Sequence, residues 1–160
     1  MKLVRMFSIA AVGALVSQSA FAQTATQTVT YQVNAINQIA VTGTPSLLIN
    51  AATAGSAPTS VQSSGNTWSV TTNQSTAMIT ASIPTAMPTG LTLSVNLAAP
   101  TGATSTGLTA IGTTAVNVVT GITKLNASGL ALTYQLDATA AAGVVTSATK
   151  VVTFTITGGV

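Results

Sequence analysis

The chain has 160 residues, of which 47% are hydrophobic and only 3% are charged, and it contains neither cysteine nor histidine. These counts exclude disulfides, thiolate metal sites, thiol catalysis and a Ser-His-Asp triad. Beyond the first 22 residues the charged side chains are Lys124, Lys150 and Asp137, which give a net charge of +1. Two cations far apart in sequence do not make a phosphate-binding surface, so no nucleic-acid partner is predicted.

The first 22 residues have the pattern of a secretory signal peptide. Lys2 and Arg5 form a basic start, an apolar run follows, and AFA at residues 20–22 has the small-x-small form that signal peptidase cleaves. The apolar run is too short to span a bilayer as a stable helix. We therefore predict a cleaved signal peptide over residues 1–22 and a single domain over residues 23–160. Export through the Sec pathway to the periplasm, the cell surface or the exterior follows, with no membrane span in the mature chain.

The first predicted strand is VTYQVNAINQIAV at residues 29–41, which alternates apolar and polar residues with a period of two. The alternation breaks at Ile36-Asn37, where the apolar residue takes the polar side. Such a break is typical of a bulge or of a strand that bends from one sheet to the other. A detachable segment at 29–35 followed by a resident strand at 39–41 also fits, and of the two the intramolecular first strand is favoured.

The same alternation predicts further strands to the end of the chain, separated by turns rich in Gly, Pro and Asn. The runs are SLLIN at 46–50, TWSVTTN at 67–73, STAMITASIP at 75–84, GLTLSVNLAAP at 90–100, TAVNVVTGI at 114–122, GLALTYQLDATA at 129–140 and KVVTFTITGG at 150–159. Residues 51–66 have loop composition, and TKLNASG at 123–129 is typical of a turn. The last two runs are expected to form a hairpin around residues 139–148.

One apolar and one polar face on each run indicate antiparallel sheets packed face to face. The predicted fold is all-β, an antiparallel Ig-like β-sandwich of seven to eight strands after the cleaved signal peptide. A closed barrel is the structural alternative. Trp68, Tyr134 and Phe154 occupy inward positions of their strands and are predicted core aromatics. An exposed aromatic platform for sugars is the alternative reading of these rings.

The residues that carry acid–base chemistry are almost absent. Asp137 is the single carboxylate side chain, so a glycosidase pair cannot form, and zinc and calcium sites lack ligands. No Gly-rich stretch has the form of a phosphate-binding loop. We predict that the protein is not an enzyme and holds no metal or cofactor.

Several runs give the chain a family resemblance. They are QTVTYQVNAINQIAV at 27–41, NLAAPTGATSTG at 96–107, YQLDATAAAG at 134–143 and TKVVTFTITGG at 149–159. They resemble small exported β-sandwich proteins of Gram-negative bacteria, which have no established activity, and the resemblance covers nearly the whole mature chain. It implies a location and a fold and no functional residues.

A weaker resemblance is to fimbrial subunits, in which a Thr- and Val-rich N-terminal segment of one subunit fills a groove in the next. Residues 27–35 have the required alternation. Two features depart from that class: the chain has a full terminal strand of its own, and it lacks the aromatic residue near the C-terminus of many fimbrial subunits.

The sequence thus predicts a non-enzymatic exported structural or cell-surface protein, fimbrial-subunit-like, that self-associates through β-strand addition or contacts other surface proteins. Val29, Tyr31 and Val33 would be the strand-addition anchors. The alternative is a monomeric secreted binding module for a glycan or matrix component, which would use the loop at 51–66.

Overall fold

The computed structural model describes residues 22–159. The predicted signal peptide at residues 1–22 therefore lies outside the described residues except for Ala22. In this described part of the chain, residues 22–32 belong to one unit and contain no helix or strand, and the strands lie in the other unit, in residues 33–159. The strands are β1 Asn37–Thr42, β2 Val61–Gln62, β3 Asn66–Thr72, β4 Ala77–Ser82, β5 Leu91–Leu97, β6 Thr104–Ser105, β7 Thr109–Ala110, β8 Val116–Ile122, β9 Leu125–Ala138 and β10 Thr153–Thr157.

The strands form two antiparallel sheets, which confirms the all-β prediction. The first sheet has the order β1-β3-β9-β5-β7, with β2 also paired to β9, and the second has the order β10-β4-β8-β6. A single 3₁₀ turn at Ala140–Ala142 is the helical content of the described residues. Over the same residues, no helix has the length and apolar character needed to cross a membrane.

The two sheets contribute to one apolar core, because alternate residues of each strand point to the same side. Fully buried members include Trp68 and Val95 from the first sheet and Ile79 and Val118 from the second. In β8, Val118 and its neighbour Val119 are both buried, because the pairing of β4 with β8 is irregular next to Ile79. The predicted inward positions of β4 and β10, and those of β5 from Leu93 on, pack in or against this core.

The expected hairpin between the last two runs is wrong. β9 lies between β3 and β5 in the first sheet, with Tyr134 opposite Val95, whereas β10 pairs with β4 in the second sheet, with Phe154 opposite Ala81. β9 ends where the backbone N–H of Thr139 donates to the carbonyl of Gly90 at 2.8 Å. Alternation specifies which face of a strand is buried, and it does not specify the neighbouring strand.

The predicted turn at 123–129 is also wrong over most of its length, because β9 already begins at Leu125. The register of β9 against β3 shifts between Trp68 and Val70, where one extra residue of β9 is accommodated. Gly129 lies at this shift with φ of +67°, a left-handed conformation that suits glycine. Turn-like composition here forms a β-bulge inside a long strand.

The start of the fold differs from the predicted strand at 29–41. Residues 22–36 lie in no strand, and β1 begins at Asn37, which is the joint where the alternation breaks. The SLLIN run forms no strand either, since residues 43–51 have no ladder partner. Its Leu47 is half-buried against the core. The alternating apolar residues of this run therefore reflect packing on the core and not strand pairing.

Tyr134 gives the fold a pH dependence. Burial raises the pKa of the Tyr134 phenol above its ordinary value. Above pH of about 10 the unfolded chain loses this proton while the folded chain keeps it, so stability is present below that pH and falls as the pH rises through the folded pKa. We expect urea titrations between pH 9 and pH 11, as rough limits around that value, to show this loss, and Tyr134→Phe to reduce it. Tyr31→Phe, at an exposed phenol, is the control, and an unchanged slope in Tyr134→Phe would contradict the assignment.

Candidate functional site

One side of the fold brings together the end strands of both sheets. β1 ends the first sheet and β10 ends the second, and the two strands contact each other. Between them lies an open cleft of about 140 Å³, hereafter the side cleft. It is lined by Ile39, Ala40, Val41, Val152 and Phe154. At the outer edge of each end strand a row of backbone N–H and C=O groups lacks a ladder partner among the described strands.

The side cleft exposes apolar surface that closed sheets normally bury. Val41 lies opposite Trp68 on the inward face of β1, yet 47% of its surface is exposed. Phe154 is only half-buried at the same opening. Apolar side chains at the edge of the core are therefore partly exposed between β1 and β10.

Neither end strand carries the charges that usually protect sheet edges. β1, β10 and residues 23–36 contain no charged residue. Lys150, three residues before β10, turns away: its Nζ donates to the carbonyl oxygens of Thr85 and Ala86 at 3.1 and 3.0 Å and to the Thr85 hydroxyl at 2.7 Å. No electrostatic repulsion opposes the approach of another strand to this side.

The predicted anchors lie outside every strand. Val29 and Tyr31, in the unit of residues 22–32, are 72% and 89% exposed. Val33, in the unit that carries the sheets, is 77% exposed. Three large side chains at alternate positions thus face solvent in a single copy of the chain.

A feature that sequence reasoning missed is the side chain of Asn73, which holds the backbone just before β1. Its Oδ1 accepts from the N–H of Ile36 at 2.8 Å, and its Nδ2 donates to the carbonyl of Asn34 at 2.7 Å. The backbone N–H of Asn73 also donates to the Ile36 carbonyl at 3.2 Å. We call these contacts the Asn73 clamp. The amide side chain offers a donor and an acceptor, so it pairs with the backbone as a neighbouring strand would. Composition does not reveal this use.

The Asn73 clamp borders a second, open hollow of about 430 Å³ at one end of the first sheet. Its lining is Ile36, Thr71, Thr72, Asn73, Lys124, Leu125 and Asn126. Lys124 has a positive φ of 42° in the tight connection between β8 and β9, and its backbone N–H donates to the Gln74 carbonyl. The hollow is therefore shaped by turns that hold β3, β8 and β9 together.

Replacement of Asn73 by alanine is expected to free the backbone at residues 34–36. We expect loss of hydrogen-exchange protection at the Ile36 amide and a decrease in the free energy of unfolding of about 1 kcal/mol, because the two side-chain hydrogen bonds to residues 34 and 36 and a third from Gln74 are removed. Asn126→Ala is the matched control, since Asn126 is exposed and lines the same hollow. Equal protection of Ile36 in Asn73→Ala and the wild type would contradict the clamp.

The predicted core aromatics occupy two kinds of environment. Trp68 is fully buried, and its Nε1 donates to the Ala98 carbonyl at 3.2 Å. Tyr134 is buried with 7% exposure. Phe154 packs against the core but also lines the side cleft, so it belongs to the site as well. The structure brings Phe154 together with Ile39, a cleft residue that sequence reasoning did not single out.

Asp137, the single carboxylate side chain, lies in a network of neutral groups. Its Oδ1 accepts from the Ser60 hydroxyl, and its two oxygens accept from Gln135 Nε2 at 2.9 and 3.1 Å. Gln62 Nε2 in turn donates to Gln135 Oε1 at 2.6 Å. These bonds tie the second half of the predicted loop at 51–66 to β9. Among the described residues neither lysine pairs with Asp137, and the network acts as a structural link.

Comparison of the chain with protein-family models, with curated proteins and with solved structures found no match. The function is therefore argued from the chain itself. Its most distinctive surface is the side cleft, an apolar and uncharged opening between two end strands.

Proposed function

We propose that this protein is an exported, non-enzymatic structural or cell-surface protein that self-associates by β-strand addition. The observation that carries the proposal is the side cleft, where β1 and β10 both end their sheets with apolar residues exposed between them. Edge strands without charge, proline or cover are templates for pairing with another chain. A net charge close to zero further favours association over repulsion.

We further propose that the two sheets form a β-sandwich of Ig-like architecture. Seven strands have five or more residues, and in chain order they are β1, β3, β4, β5, β8, β9 and β10. In constant-type Ig domains the fifth strand lies beside the second and fourth strands in one sheet. The sixth strand lies in the other sheet, with the third and seventh. Here the sixth, β9, lies between β3 and β5, and the fifth, β8, lies beside β4. The likeness is thus one of architecture only: the fifth and sixth strands lie in the opposite sheets, and the seventh strand, β10, pairs with the third strand, β4.

Export and lack of catalysis rest on composition. The leader pattern at residues 1–22 supports secretion, and the absence of cysteine is compatible with any compartment. Without histidine and with one carboxylate, the side chains supply no acid–base pair of the kind that hydrolytic enzymes use. The alternative of a glycan-binding module gains little support, since the loop at 51–66 is tied to β9 and the buried rings of Trp68 and Tyr134 offer no stacking platform.

Size-exclusion chromatography with light scattering and electron microscopy of the exported protein test the proposal. We expect species larger than a monomer whose proportion rises with protein concentration. Ala40→Lys and Thr155→Lys place a charge on the edges of β1 and β10, and at least one of them should reduce association. Val144→Lys is the control, because Val144 is 99% exposed and lies outside both end strands. A monomer at every concentration would rule out self-association.

A further inference from the structure

Three polar side chains in the hollow at the end of the first sheet make no hydrogen bond or ion pair to any described residue. They are the hydroxyl of Thr71, the carboxamide of Asn126 and the ammonium of Lys124, and all three residues are exposed. Thr71 and Asn126 lie opposite each other on β3 and β9, so their side chains share one face of the sheet. Lys124 lies two residues before Asn126. The hollow therefore presents one cation and two neutral hydrogen-bonding groups to solvent.

Lys124 occupies a backbone conformation that favours glycine. Glycine takes nine of the described positions with a positive φ, and Thr76 and Lys124 take the other two. A residue with a side chain is strained in this left-handed region. The Thr76 hydroxyl is used within the fold, since it donates to the Ser75 carbonyl at 2.7 Å. The Lys124 side chain has no such bond, so neither the backbone conformation nor an internal hydrogen bond accounts for a lysine here.

The charge of Lys124 is not balanced by a neighbouring side chain. Asp137, the single carboxylate side chain, lies near the far end of β9, which begins next to Lys124 at Leu125. A strand of this length spans more than about 30 Å, several times the Debye length of about 8 Å at physiological ionic strength. The other described lysine, Lys150, already donates to three oxygen atoms. Lys124 is thus the lysine that is available to a ligand.

We infer that the hollow binds a sugar unit that carries a carboxylate, such as a uronic acid residue of an acidic polysaccharide. The Lys124 ammonium pairs with the carboxylate, and the Thr71 hydroxyl and the Asn126 carboxamide bond to sugar hydroxyls. The half-buried Leu125 and the exposed Ile36 offer apolar surface to the C–H groups of the ring. The hollow shares no lining residue with the side cleft. The inference therefore adds a binding activity to the proposed self-association and does not depend on it.

The size and charge of the hollow favour this ligand over other anions. Its volume of about 430 Å³ lies within the range of small-ligand sites, about 300–1,000 Å³. The hollow is open, so it leaves room for the units that flank a bound sugar in a polymer. One ammonium balances one carboxylate, whereas phosphate sites use several cations or a set of backbone N–H groups. The site uses neither the loop at 51–66 nor the aromatic rings that a stacking platform would need.

An NMR titration of the exported protein with tetragalacturonate tests the inference, and the fully methyl-esterified tetramer is the matched neutral ligand. We expect the acidic ligand to shift the amide signals of Thr71, Lys124 and Asn126, and its binding to weaken as salt is added. The esterified ligand should bind at least about tenfold more weakly, because the charge-assisted hydrogen bond is lost. Equal affinity for the two ligands would overturn the role of the carboxylate.

Lys124→Gly separates ligand binding from the fold. Glycine suits the positive φ, so this variant should keep the thermal midpoint of the wild type and bind tetragalacturonate at least about tenfold more weakly. Lys124→Gln keeps a long polar side chain and should lose binding to the same extent. Lys150→Gln is the matched control, because it removes the same charge outside the hollow and should bind as the wild type does. Unchanged binding in Lys124→Gly, or an equal loss in Lys150→Gln, would contradict the assignment.

Three further results would defeat the inference. One is the absence of binding of tetragalacturonate to the wild type, and another is a set of shifted signals that lies outside the hollow. The third is tighter binding of tetraglutamate than of tetragalacturonate at the hollow, which would assign the site to an acidic protein partner. All three leave the proposed self-association standing, because chromatography and light scattering measure it without a ligand.

Discussion

Replacement of Trp68 by alanine is expected to lower the free energy of unfolding by about 3–5 kcal/mol, the largest effect of any single substitution discussed for this chain. Trp68 is fully buried in β3, between Val41 of β1 and Leu130 of β9. Alanine would leave a cavity, because the neighbouring strands are fixed by their ladders and cannot close the space. It would also leave the Ala98 carbonyl without the bond from the indole Nε1, which measures 3.2 Å.

Urea titration followed by far-ultraviolet circular dichroism measures this effect, since the variant lacks the tryptophan needed for fluorescence. Trp68→Phe keeps much of the ring and should lose clearly less stability than Trp68→Ala. Val144→Ala is the surface control, because Val144 makes almost no contact with the rest of the chain. A loss below about 1 kcal/mol in Trp68→Ala would show that the core around β3 rearranges to fill the space.

Replacement of Ser63 by alanine is expected to cost about 2–4 kcal/mol, although serine to alanine is usually a mild change. The buried Ser63 hydroxyl accepts from the backbone N–H of Tyr134 at 3.0 Å and from Asn66 Nδ2 at 2.9 Å. The Ser63 backbone N–H also donates to the Tyr134 carbonyl at 2.9 Å. The hydroxyl therefore continues the pairing of β2 with β9. Its removal leaves the Tyr134 N–H without this acceptor and leaves Asn66 Nδ2 with only the Ser64 carbonyl, at 3.5 Å.

Ser64→Ala is the matched control for Ser63→Ala, since Ser64 is the next residue and is exposed. The difference in unfolding free energy between the two variants isolates the buried hydroxyl from any general effect of loop composition. Hydrogen exchange at the Tyr134 amide should increase in Ser63→Ala alone. Equal stability of the two variants would mean that water or another acceptor replaces the hydroxyl.

The burial of individual strand faces could be predicted from the sequence. A period of two gave the inward face of β4 and β10 and most of that of β5, whereas only the second part of the predicted strand at 29–41 forms β1. Local alternation suffices for this because successive side chains of any strand point to opposite faces, whatever the strand pairs with. For the same reason it failed at SLLIN, where Leu47 meets the core without a ladder.

Only part of the candidate site could be predicted from the sequence. Val29, Tyr31 and Val33 stand out by their alternation, and Phe154 by its inward position. The side cleft could not be predicted in this way, because it exists only where β1 and β10 end their respective sheets. The Asn73 clamp was missed as well, since Asn73 meets Ile36 across 37 residues of chain.

By itself the sequence determined an all-β chain with few charges, a leader pattern and almost no acid–base chemistry, because composition and alternation act residue by residue. Only the tertiary structure decided that β9 and β10 belong to different sheets, that Gly129 makes a bulge and that one side is open. These features depend on which strands become neighbours. Neighbours are selected by the packing of the whole core, to which residues far apart in sequence contribute together.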